Sequence, residues 1–339
     1  MYNWLEGKTI LITGITGSFG QAFARLLKDT PVRTVRGYSR DEHKQLDLAE
    51  KLQDDRFRFF LGDVRDISNL REAMRGVDYV IHAAALKQVQ KAEVQPQECV
   101  KTNIYGSHNV VRAALDTNVD TVLLVSTDKA VYPINLYGST KMVAERLIIA
   151  SNAQRGDRRT KLCATRYGNV AGSRSTVVPL FFSLKHKREL PITDLNATRF
   201  WIRLPDAVEF VLKSLKVASE GYGGEIYVPR MPSVKITDVA KAIAGEEVTL
   251  KVIGQRPGDK LHEVLITEDE AKRVCGRLGY PGEVIQPQNP IWPYAFTRVG
   301  GEKKQFSSDV NKFLTIPEIK NSIREWFDKY DVSEPDKVS

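Results

Sequence analysis

The fold of this chain is decided by the stretch Lys8–Gly20, which reads KTILITGITGSFG. Its apolar residues predict a short buried strand, and the QAFARLL that follows has the spacing of a helix. The glycines in between permit a tight turn and a close approach of the backbone to a ligand, while a helix N-terminus attracts a pyrophosphate. Their spacing differs from the common dinucleotide-binding fingerprint, but the strand-turn-helix context is the same. The residues expected to hold a dinucleotide here are Gly14, Thr16, Gly17, Ser18, Phe19 and Gly20.

Strand and helix patterns alternate from this stretch onward. Further strands are predicted at residues 32–38, 56–61, 78–81, 122–125 and 161–166. Such alternation is typical of an α/β fold with a doubly wound parallel sheet. Beyond about residue 170 the pattern is less regular, which favours a smaller C-terminal substrate-binding lobe. We expect a dinucleotide-binding domain with the catalytic residues over 1–170, a substrate-binding lobe over 171–330 interleaved with it, and a frayed tail over 331–339.

The second predicted strand ends in Ser39, Arg40 and Asp41, with Lys44 one helical turn later. At this place in a dinucleotide site an acidic residue holds the ribose of NAD, whereas an Arg accepts the 2′-phosphate of NADP. The hydroxyl and the two cations favour NADP. Asp41 leaves NAD as the alternative.

The ends of the third and fourth predicted strands supply further candidate contacts to the cofactor. The third strand leads into Asp63 and Val64, and we expect Asp63 to contact the adenine. Lys87, shortly after the fourth strand, is a candidate contact to either cofactor or substrate. Between that strand and Lys87 lie three small residues that let the backbone approach the cofactor closely, Ala83, Ala84 and Ala85.

Two motifs follow the fifth predicted strand. Ser126–Lys129 (STDK) stands at the strand end, and Tyr137–Lys141 (YGSTK) precedes a helical pattern that begins at Met142. Ligands of open α/β sheets bind beyond the carboxyl ends of the strands, where these motifs would lie. Side chains four residues apart share a helix face, so we expect the ammonium of Lys141 to lower the pKa of the Tyr137 phenol and make it usable as an acid or base.

Length, composition and charge restrict the class of protein. The chain has 339 residues, 42% of them hydrophobic and 27% charged, as in a soluble globular protein, and it lacks both a membrane-length apolar run and a signal-peptide pattern. The formal net charge is +8, but basic residues are spread among acidic ones, which indicates a site for an anionic small molecule rather than nucleic acid. Three scattered cysteines offer neither a metal-ligand spacing nor a disulfide framework. We expect a cytoplasmic protein that binds no metal, membrane or nucleic acid.

Basic residues recur at separate points of the C-terminal half. They are Arg174, Arg199 next to Thr198, and those of the segment Arg256–Glu263. Arginine forks match phosphate geometry, and separated cations that converge on one ligand are what a nucleotide diphosphate requires. Taken singly, each is also compatible with a surface ion pair.

Together these motifs resemble the extended short-chain dehydrogenase/reductases, which have a Rossmann-like fold. More narrowly, the chain resembles the inverting UDP-N-acetylglucosamine 4,6-dehydratases that start pseudaminic acid synthesis in bacteria. Two positions depart from that pattern: Ile15 stands where a glycine is usual, and Tyr132, with Val131 before it, replaces a smaller residue and could alter the sugar pocket. The resemblance covers about residues 6–325 and runs through segments 13–20, 38–42, 82–89, 126–130, 133–138, 166–170, 191–194, 198–201 and 256–263.

The resemblance implies oxidation at C4 of the sugar, loss of water across C5 and C6, and reduction at C6, with a tightly bound NADP recycled in each turnover. Tyr137 would take the proton of the C4 hydroxyl, Thr127 would orient that hydroxyl, and Lys141 would hold the phenolate and the nicotinamide ribose. Asp128 would protonate the leaving C6 hydroxyl. Lys129 would remove the C5 proton, which requires a pKa lowered by burial or nearby positive charge. Reprotonation of C5 on the opposite face would invert that centre.

The resemblance also implies a substrate, an assembly and alternatives. The protein would be a homo-oligomer, a dimer or hexamer. Retaining dehydratases of the same superfamily carry Asp-Glu in place of Asp128-Lys129, so a C5-retaining dehydratase or epimerase of a related UDP-sugar is the alternative. A non-catalytic NADP-binding regulator is disfavoured because the Tyr-x-x-x-Lys pair is present, and a reductase that releases NADPH would change nicotinamide absorbance steadily. The residues that would bind UDP-N-acetylglucosamine are Lys87, Asn169, Val177, Thr198, Arg199, Arg256 and Glu263.

Overall fold

The computed structural model describes residues 2–173, 176–187, 189–276, 280–287 and 304–330. Arg174 and the tail predicted over 331–339 lie outside these ranges. Strands and helices are numbered along the chain. The strands are β1 Thr9–Thr13, β2 Thr34–Ser39, β3 Phe57–Leu61, β4 Tyr79–His82, β5 Thr121–Thr127, β6 Lys161–Tyr167, β7 Asn169–Val170, β8 Glu189–Ile192, β9 Thr198–Ile202, β10 Ile226–Pro229, β11 Ser233–Lys235, β12 Thr249–Val252, β13 Val264–Ile266, β14 Val274–Cys275, β15 Gly282–Ile285 and β16 Phe306–Ser307.

Helices separate most of the strands of the first half. They are α1 Ser18–Lys28, α2 Glu42–Leu52, α3 Ile67–Met74, α4 Val89–Val94, α5 Pro96–Val100, α6 Gly106–Asp116, α7 Leu136–Ala150, α8 Val177–Leu184, α9 Leu204–Glu220, α10 Ile236–Ala244, α11 Glu268–Ala271 and α12 Ile316–Tyr330. A π-helical turn over Lys101–Tyr105 leads into α6, and a 3₁₀ turn over Asp128–Ala130 follows β5.

A nine-stranded sheet forms the centre of the described part of the chain, in the order β14-β15-β10-β6-β5-β4-β1-β2-β3. The strands from β3 to β10 in that order run parallel, and β15 and β14 add an antiparallel edge. The strand order reverses between β1 and β4, and ligands of such sheets bind outside the carboxyl ends of the strands at that point. The predicted α/β doubly wound sheet is confirmed, and the ends of its first six strands lie within two residues of the predicted ones.

The sheet core is built from the apolar runs that indicated the strands. Every residue of β1 is buried, and Val122, Leu123 and Leu124 of β5 are fully enclosed. The apolar face of α1 packs against this core through Phe23 and Leu27. Each such side chain contributes about 1.5–3 kcal/mol of burial free energy, which holds the strand ends in a fixed arrangement.

Helix α7 begins earlier than the helical pattern from Met142 indicates. Asn135 has extended backbone geometry, and its Oδ1 accepts a hydrogen bond from the backbone N–H of Gly138 at 2.8 Å, so it caps the helix and the first helical residue is Leu136. The cap extends the helix over the whole of Tyr137–Lys141, and both ends of that motif are therefore helical.

A buried ion-pair network lies behind α7. Arg166 of β6 contacts Glu145 of α7 at 2.7 Å and Glu270 of α11 at 2.9 Å, and its guanidinium also donates to the carbonyl of Leu265 at 2.8 Å. Breaking a buried network of this kind by removal of one charge typically costs about 3–5 kcal/mol. The network therefore ties α7 to the segment that follows β13.

A second, smaller apolar cluster lies in the C-terminal half. It contains Phe181 of α8, Trp201 of β9, Val239 of α10 and Ile319 of α12. Strands β10, β14 and β15 also come from this half of the chain but belong to the large sheet, so the two halves interleave. The domain boundary at residue 170 stays a prediction. Among the described helices, none is both long and apolar enough to cross a membrane.

Candidate active site

A cavity of about 1020 Å³ opens at the carboxyl ends of the central parallel strands. It is also lined by α8 and by the 253–263 loop, which leads into β13. All the predicted cofactor-binding residues line this cavity, namely Gly14, Thr16, Gly17, Ser18, Phe19, Gly20, Ser39, Arg40, Lys44, Asp63, Val64, Ala83, Ala84, Ala85, Lys87, Tyr137 and Lys141. Further predicted site residues on its surface are Thr127, Lys129, Asn169, Val177, Arg199, Arg256 and Glu263.

The glycine turn after β1 has room for no side chain at two positions. Gly14 has φ of +73°, and a Cβ there would lie 2.9 Å from the backbone of Ala84. A Cβ at Gly20 would lie 2.5 Å from the carbonyl oxygen of Gly14. Gly17 precedes the first residue of α1, so the free N–H groups of that helix end at the cavity. Ile15, the departure from the family pattern, is fully buried in the core and leaves the turn intact.

At the end of β2, the predicted ribose contacts lie among carboxylates. Arg40 lies 3.6 Å from Asp63, and Lys44 forms an ion pair with Asp41. Asp41 also caps α2 by accepting a hydrogen bond from the backbone N–H of Lys44 at 3.0 Å. Ser39 is buried at the strand end beside them. Two cations, two carboxylates and a hydroxyl thus surround this end of the cavity.

Tyr137 and Lys141 lie one turn apart on α7, as predicted. Lys141 is buried, and its Nζ donates a hydrogen bond to the carbonyl of Val125 at 2.9 Å. Burial lowers the pKa of Lys141 to about 8, although the charge of Glu145 opposes the shift. A lysine of this kind gains and loses its proton near neutral pH.

The expected lowering of the Tyr137 pKa is wrong for this arrangement. Burial raises the pKa of Tyr137 to about 12, and the nearby charge that opposes burial comes from Lys129 rather than from Lys141. The sequence showed the helical spacing of the phenol and the amine, but it could not show how deeply both are buried.

Asp128 and Lys129 form a compact charged group at the end of β5. Lys129 Nζ lies 3.1 Å from Asp128 Oδ1, 3.3 Å from Glu263 Oε1 and 3.1 Å from Asn169 Oδ1. Thr127 Oγ1 donates to Asp128 Oδ1 at 2.9 Å. Asp128 has no exposed surface and lies beneath the cavity wall, whereas 24% of the Lys129 side chain is exposed. Lys129, rather than Asp128, therefore meets the cavity.

The expected fall of the Lys129 pKa is also wrong. Burial alone would lower the pKa of Lys129, but the charges of Asp128 and Glu263 outweigh burial and hold it above its ordinary value. Burial raises the pKa of Asp128 even though Lys129 opposes the shift, and the charge of Glu263 raises it further. Burial thus favours the neutral form of Asp128, whereas the two carboxylates favour the charged form of Lys129.

Two of the predicted site residues, Asp128 and Thr198, do not line the cavity. The Thr198 hydroxyl lies 2.8 Å from His262 Nδ1 and 2.7 Å from Ser308 Oγ, and its role as a substrate contact stays a prediction. Arg199 does line the cavity, but its guanidinium donates to backbone carbonyls, including that of Lys260 at 2.8 Å. Arg199 thus holds the 253–263 loop as well as facing the cavity.

The 253–263 loop carries the remaining charged contacts. Arg256 lies 2.9 Å from Asp259 and remains 56% exposed, so its guanidinium is accessible to a ligand. Lys260, one of the basic residues that the sequence indicates in this segment, lines the cavity and donates to the carbonyl of Val131 at 2.5 Å. Tyr132, the second departure from the family pattern, has φ of +45°, is exposed and does not line the cavity.

Asn135 is a position that the sequence analysis missed. Besides capping α7, its Nδ2 donates to the carbonyl of Gly258 at 2.8 Å, so one side chain joins the catalytic helix to the 253–263 loop. The signal was present, because an Asn shortly before a helical pattern is a common N-cap.

Among the described residues there is no cluster of three or more His, Cys, Asp or Glu that could hold a metal ion.

Comparison with known proteins identifies the family. Residues 10–276 match the model of the family described as polysaccharide biosynthesis protein. The chain is 48% identical over 269 residues to a protein of Campylobacter jejuni named UDP-N-acetylglucosamine 4,6-dehydratase (inverting), covering 78% of this chain and 79% of that one. It is 41% identical over 326 residues to a protein of Rickettsia felis named UDP-glucose 4-epimerase, covering 92% and 94%.

A solved structure gives the same result for the fold. The structure of Pen from Bacillus thuringiensis superimposes with a TM-score of 0.86 at 32% identity, over 95% of this chain and 98% of that one. The match extends over both halves of the chain, so the interleaved arrangement of sheet and C-terminal lobe is common to the two proteins. With its family model, its relatives and its sheet in agreement, this chain belongs to the polysaccharide biosynthesis protein family.

Proposed function

We propose that this protein is a UDP-N-acetylglucosamine 4,6-dehydratase that inverts C5 and forms a UDP-2-acetamido-2,6-dideoxy-β-L-arabino-hex-4-ulose. The observation that carries the proposal is that Lys129, with Asp128 beneath it, lies in the same cavity as Tyr137 and Lys141. A Tyr-Lys pair alone suffices for oxidation of an alcohol. Elimination of water also needs a group that removes the C5 proton and a group that protonates the C6 oxygen, and the Asp-Lys pair supplies both kinds of group.

The residues around the glycine turn fit a nicotinamide dinucleotide. Gly14 and Gly20 leave a cradle that a Cβ would fill, and the N-terminus of α1 favours a pyrophosphate. Ser39, Arg40 and Lys44 would hold a 2′-phosphate, so NADP is the proposed form. When bound, the cofactor would supply the oxidation of C4 and the reduction of C6, which cancel over one turnover.

The residues of this chain would handle the protons. Tyr137 would accept the proton of the C4 hydroxyl, with Thr127 orienting that hydroxyl and Lys141 holding the nicotinamide ribose. The C4 ketone acidifies the C5 proton, which Lys129 would remove once it has given up a proton of its own. Because Asp128 has no exposed surface, its proton would reach the C6 oxygen through Lys129 or after a small movement of the strand end. Return of a proton to the other face of C5 would invert that centre.

Direct incubation of the purified protein with UDP-N-acetylglucosamine, without added cofactor, tests this function. A 4-keto-6-deoxy product with inverted C5, identified by NMR in deuterated water, is the expected result. An unchanged substrate after cofactor content has been verified, or a product that keeps its C6 hydroxyl, would contradict the proposal.

A second candidate function is epimerisation at C4, since the relative of wider coverage carries an epimerase name. An epimerase needs Tyr137 and Lys141 but no proton transfer at C5 or C6. The same incubation separates the two, because an epimerase gives the C4 epimer without loss of water. Replacement of Lys129 would then leave most of the activity in place.

The proposed preference for NADP over NAD depends on Arg40. Arg40→Ala is expected to weaken NADP binding about tenfold while changing NAD binding little, as measured by calorimetric titration, because one charge-assisted contact to the 2′-phosphate is lost.

The three cysteines are buried free thiols, which suits a cytoplasmic enzyme. A homo-oligomer, dimer or hexamer, is proposed from the family resemblance, and the native mass in solution tests it. The product would enter pseudaminic acid synthesis.

A further inference from the structure

The Lys129 ammonium lies among acceptors from three separate parts of the chain. Asp128 Oδ1 and Asn169 Oδ1 are each 3.1 Å from its Nζ, and Glu263 Oε1 is 3.3 Å away. Of the three N–H donors of the ammonium, two make hydrogen bonds, to Asp128 and Asn169, and Glu263 adds an ion pair. Lys129 is therefore oriented by its neighbours before any substrate is present.

The two carboxylates beside Lys129 differ in their other neighbours. Glu263 Oε2 lies 3.4 Å from Lys260 Nζ, so Glu263 stands between two ammonium groups that favour its charged form. Asp128 Oδ2 is buried and has no hydrogen-bond partner among the described residues. Desolvation favours the neutral form of a carboxyl group, and Asp128 accordingly has a raised pKa while Glu263 has a lowered one, burial being outweighed there by the charge of Lys129.

The backbone of Glu263 is held firmly. Its N–H donates to Ser308 Oγ at 2.9 Å, and the N–H of Ser308 donates to the Glu263 carbonyl at 2.9 Å. Thr198 contacts the same serine at 2.7 Å, which gives Thr198 a supporting place outside the cavity. Lys260 in turn is fixed through its contact to Val131. The charges of Glu263 and Lys260 therefore occupy fixed positions relative to Lys129.

We propose that Glu263 is a positioning residue for proton transfer, a fixed anion that orients Lys129 while one proton is shared between Lys129 and Asp128. This inference deepens the proposed dehydratase function and rests on it. In the sharing step an N–H bond of Lys129 breaks and an O–H bond of Asp128 forms, so that an ammonium and a carboxylate become a neutral amine and a neutral acid. The amine can then accept the C5 proton, and the acid holds the proton that the departing hydroxyl needs. Glu263 itself does not touch the reacting atoms.

The charges around the pair determine how it responds to pH. The titratable and charged groups that face Lys129 and Glu263 are Asp128, Tyr137, Arg199 and Lys260. A carboxylate near the Lys129–Asp128 pair increases its affinity for the shared proton, and a cation decreases it. Loss of the charge of Glu263 therefore makes the pair lose its proton at lower pH, whereas loss of the charge of Lys260 has the opposite effect.

Glu263→Gln and Lys260→Met test the inference, with UDP-N-acetylglucosamine as the substrate. In Glu263→Gln the basic limb of the pH profile of kcat is expected to move down by about one pH unit or more, given a charge only a few ångströms away. Exchange of the C5 proton with deuterated solvent should fall about tenfold or more. Transient reduction of the bound cofactor at saturating substrate, which reports oxidation at C4, should fall much less than this exchange. In Lys260→Met the basic limb should move up, and Glu263→Asp should restore part of the wild-type profile.

The outcomes separate the inference from the function on which it rests. A wild-type pH profile and wild-type C5 exchange in Glu263→Gln would overturn the role of Glu263. A shift of the basic limb in the same direction in Glu263→Gln and Lys260→Met would also overturn it. A general disturbance of the site would then explain both shifts without any effect of charge. If the wild-type protein reduced no cofactor with this substrate and exchanged no C5 proton, the proposed function would fail, and the inference with it.

Discussion

Two lysines of one cavity, Lys141 and Lys129, lie in opposite surroundings. Lys141 projects from α7 into the sheet, donates to a backbone carbonyl, and has its pKa lowered to about 8 by burial. Lys129 follows β5, stands between two carboxylates, and has its pKa raised although burial acts against the shift. The residue type is the same. The neighbours decide whether the ammonium is easily lost or firmly kept.

This difference separates the two kinds of chemistry proposed for the cavity. The helix that bears Tyr137 and Lys141 provides groups for oxidation of an alcohol, a requirement shared by many reactions. The strand end that bears Asp128 and Lys129 adds the groups that transfer protons at C5 and C6, and Glu263 forms an ion pair with Lys129 there. Two neighbouring elements of one sheet thus carry parts of the reaction that substitutions can separate.

The largest expected effect is on turnover. Lys129→Met should reduce formation of the dehydrated product about 10³-fold, because the group that accepts the C5 proton is lost, while the bound cofactor and its transient reduction remain. Product formation by NMR and cofactor release after denaturation measure the two properties. The matched variant Lys141→Met should lose the transient reduction as well. Near-normal turnover in Lys129→Met would remove Lys129 from the mechanism.

The same pair of substitutions should change stability in opposite directions. Lys129→Met leaves Asp128 and Glu263 without their shared cation and should lower the free energy of unfolding by about 3 kcal/mol. Lys141→Met removes a buried charge at the expense of one hydrogen bond to Val125 and should raise the free energy of unfolding by about 1–2 kcal/mol. Urea unfolding of the cofactor-free proteins at pH 7 measures both changes. If both substitutions changed the free energy of unfolding in the same direction, the surroundings of Lys129 and Lys141 would differ less than the geometry indicates.

The stabilising effect of Lys141→Met should depend on pH. The pKa of Lys141 is about 8 in the folded protein and 10.5 as its ordinary value, so the unfolded chain binds more protons than the folded protein between these pH values. The free energy of unfolding of the wild-type protein therefore rises with pH across that window, relative to the variant. Below pH 8 the difference between the two should be largest and constant. A difference independent of pH from 7 to 10 would mean that Lys141 titrates normally in the folded protein.

The smallest expected effect concerns the neutral partner of Lys129. Asn169→Ala removes one hydrogen-bond acceptor and no charge, so turnover should fall only about fivefold, in line with the roughly 1 kcal/mol of an ordinary hydrogen bond. The basic limb of the pH profile should stay in place, in contrast to that of Glu263→Gln. Steady-state kinetics across pH would show whether the amide or the carboxylate governs the ionisation of Lys129.

The sequence predicted those parts of the site that depend on local pattern. The glycine turn, the strand ends after β2 to β5 and the spacing of Tyr137 and Lys141 all follow from short runs of residues, and the fold places them around one cavity. The apolar spacing of α7 begins only at Met142, whereas the spacing of Tyr137 and Lys141 and the cap at Asn135 indicate the earlier start of the helix. These signals are also local.

Other features depend on contacts between distant parts of the chain. A base role for Lys129 requires a lowered pKa, but Glu263, which comes from the segment before β13, lies beside Lys129 and favours its charged form. The position of Thr198 outside the cavity depends on Ser308, more than a hundred residues further along the chain. Burial and contacts between distant residues determine the pKa of Lys129 and the position of Thr198. Neither can be predicted from the spacing of residues along the chain.

Asn135 also limits which substitutions the protein can tolerate. One amide meets two unrelated demands, since its oxygen accepts from the first turn of α7 and its nitrogen donates to Gly258. Aspartate would keep the acceptor and lose the donor, and serine would cap the helix with a side chain too short to reach the loop. Few single substitutions can therefore satisfy both sides at once. We expect position 135 to tolerate mutation less well than an ordinary helix cap, although it touches neither sugar nor cofactor in the proposed reaction.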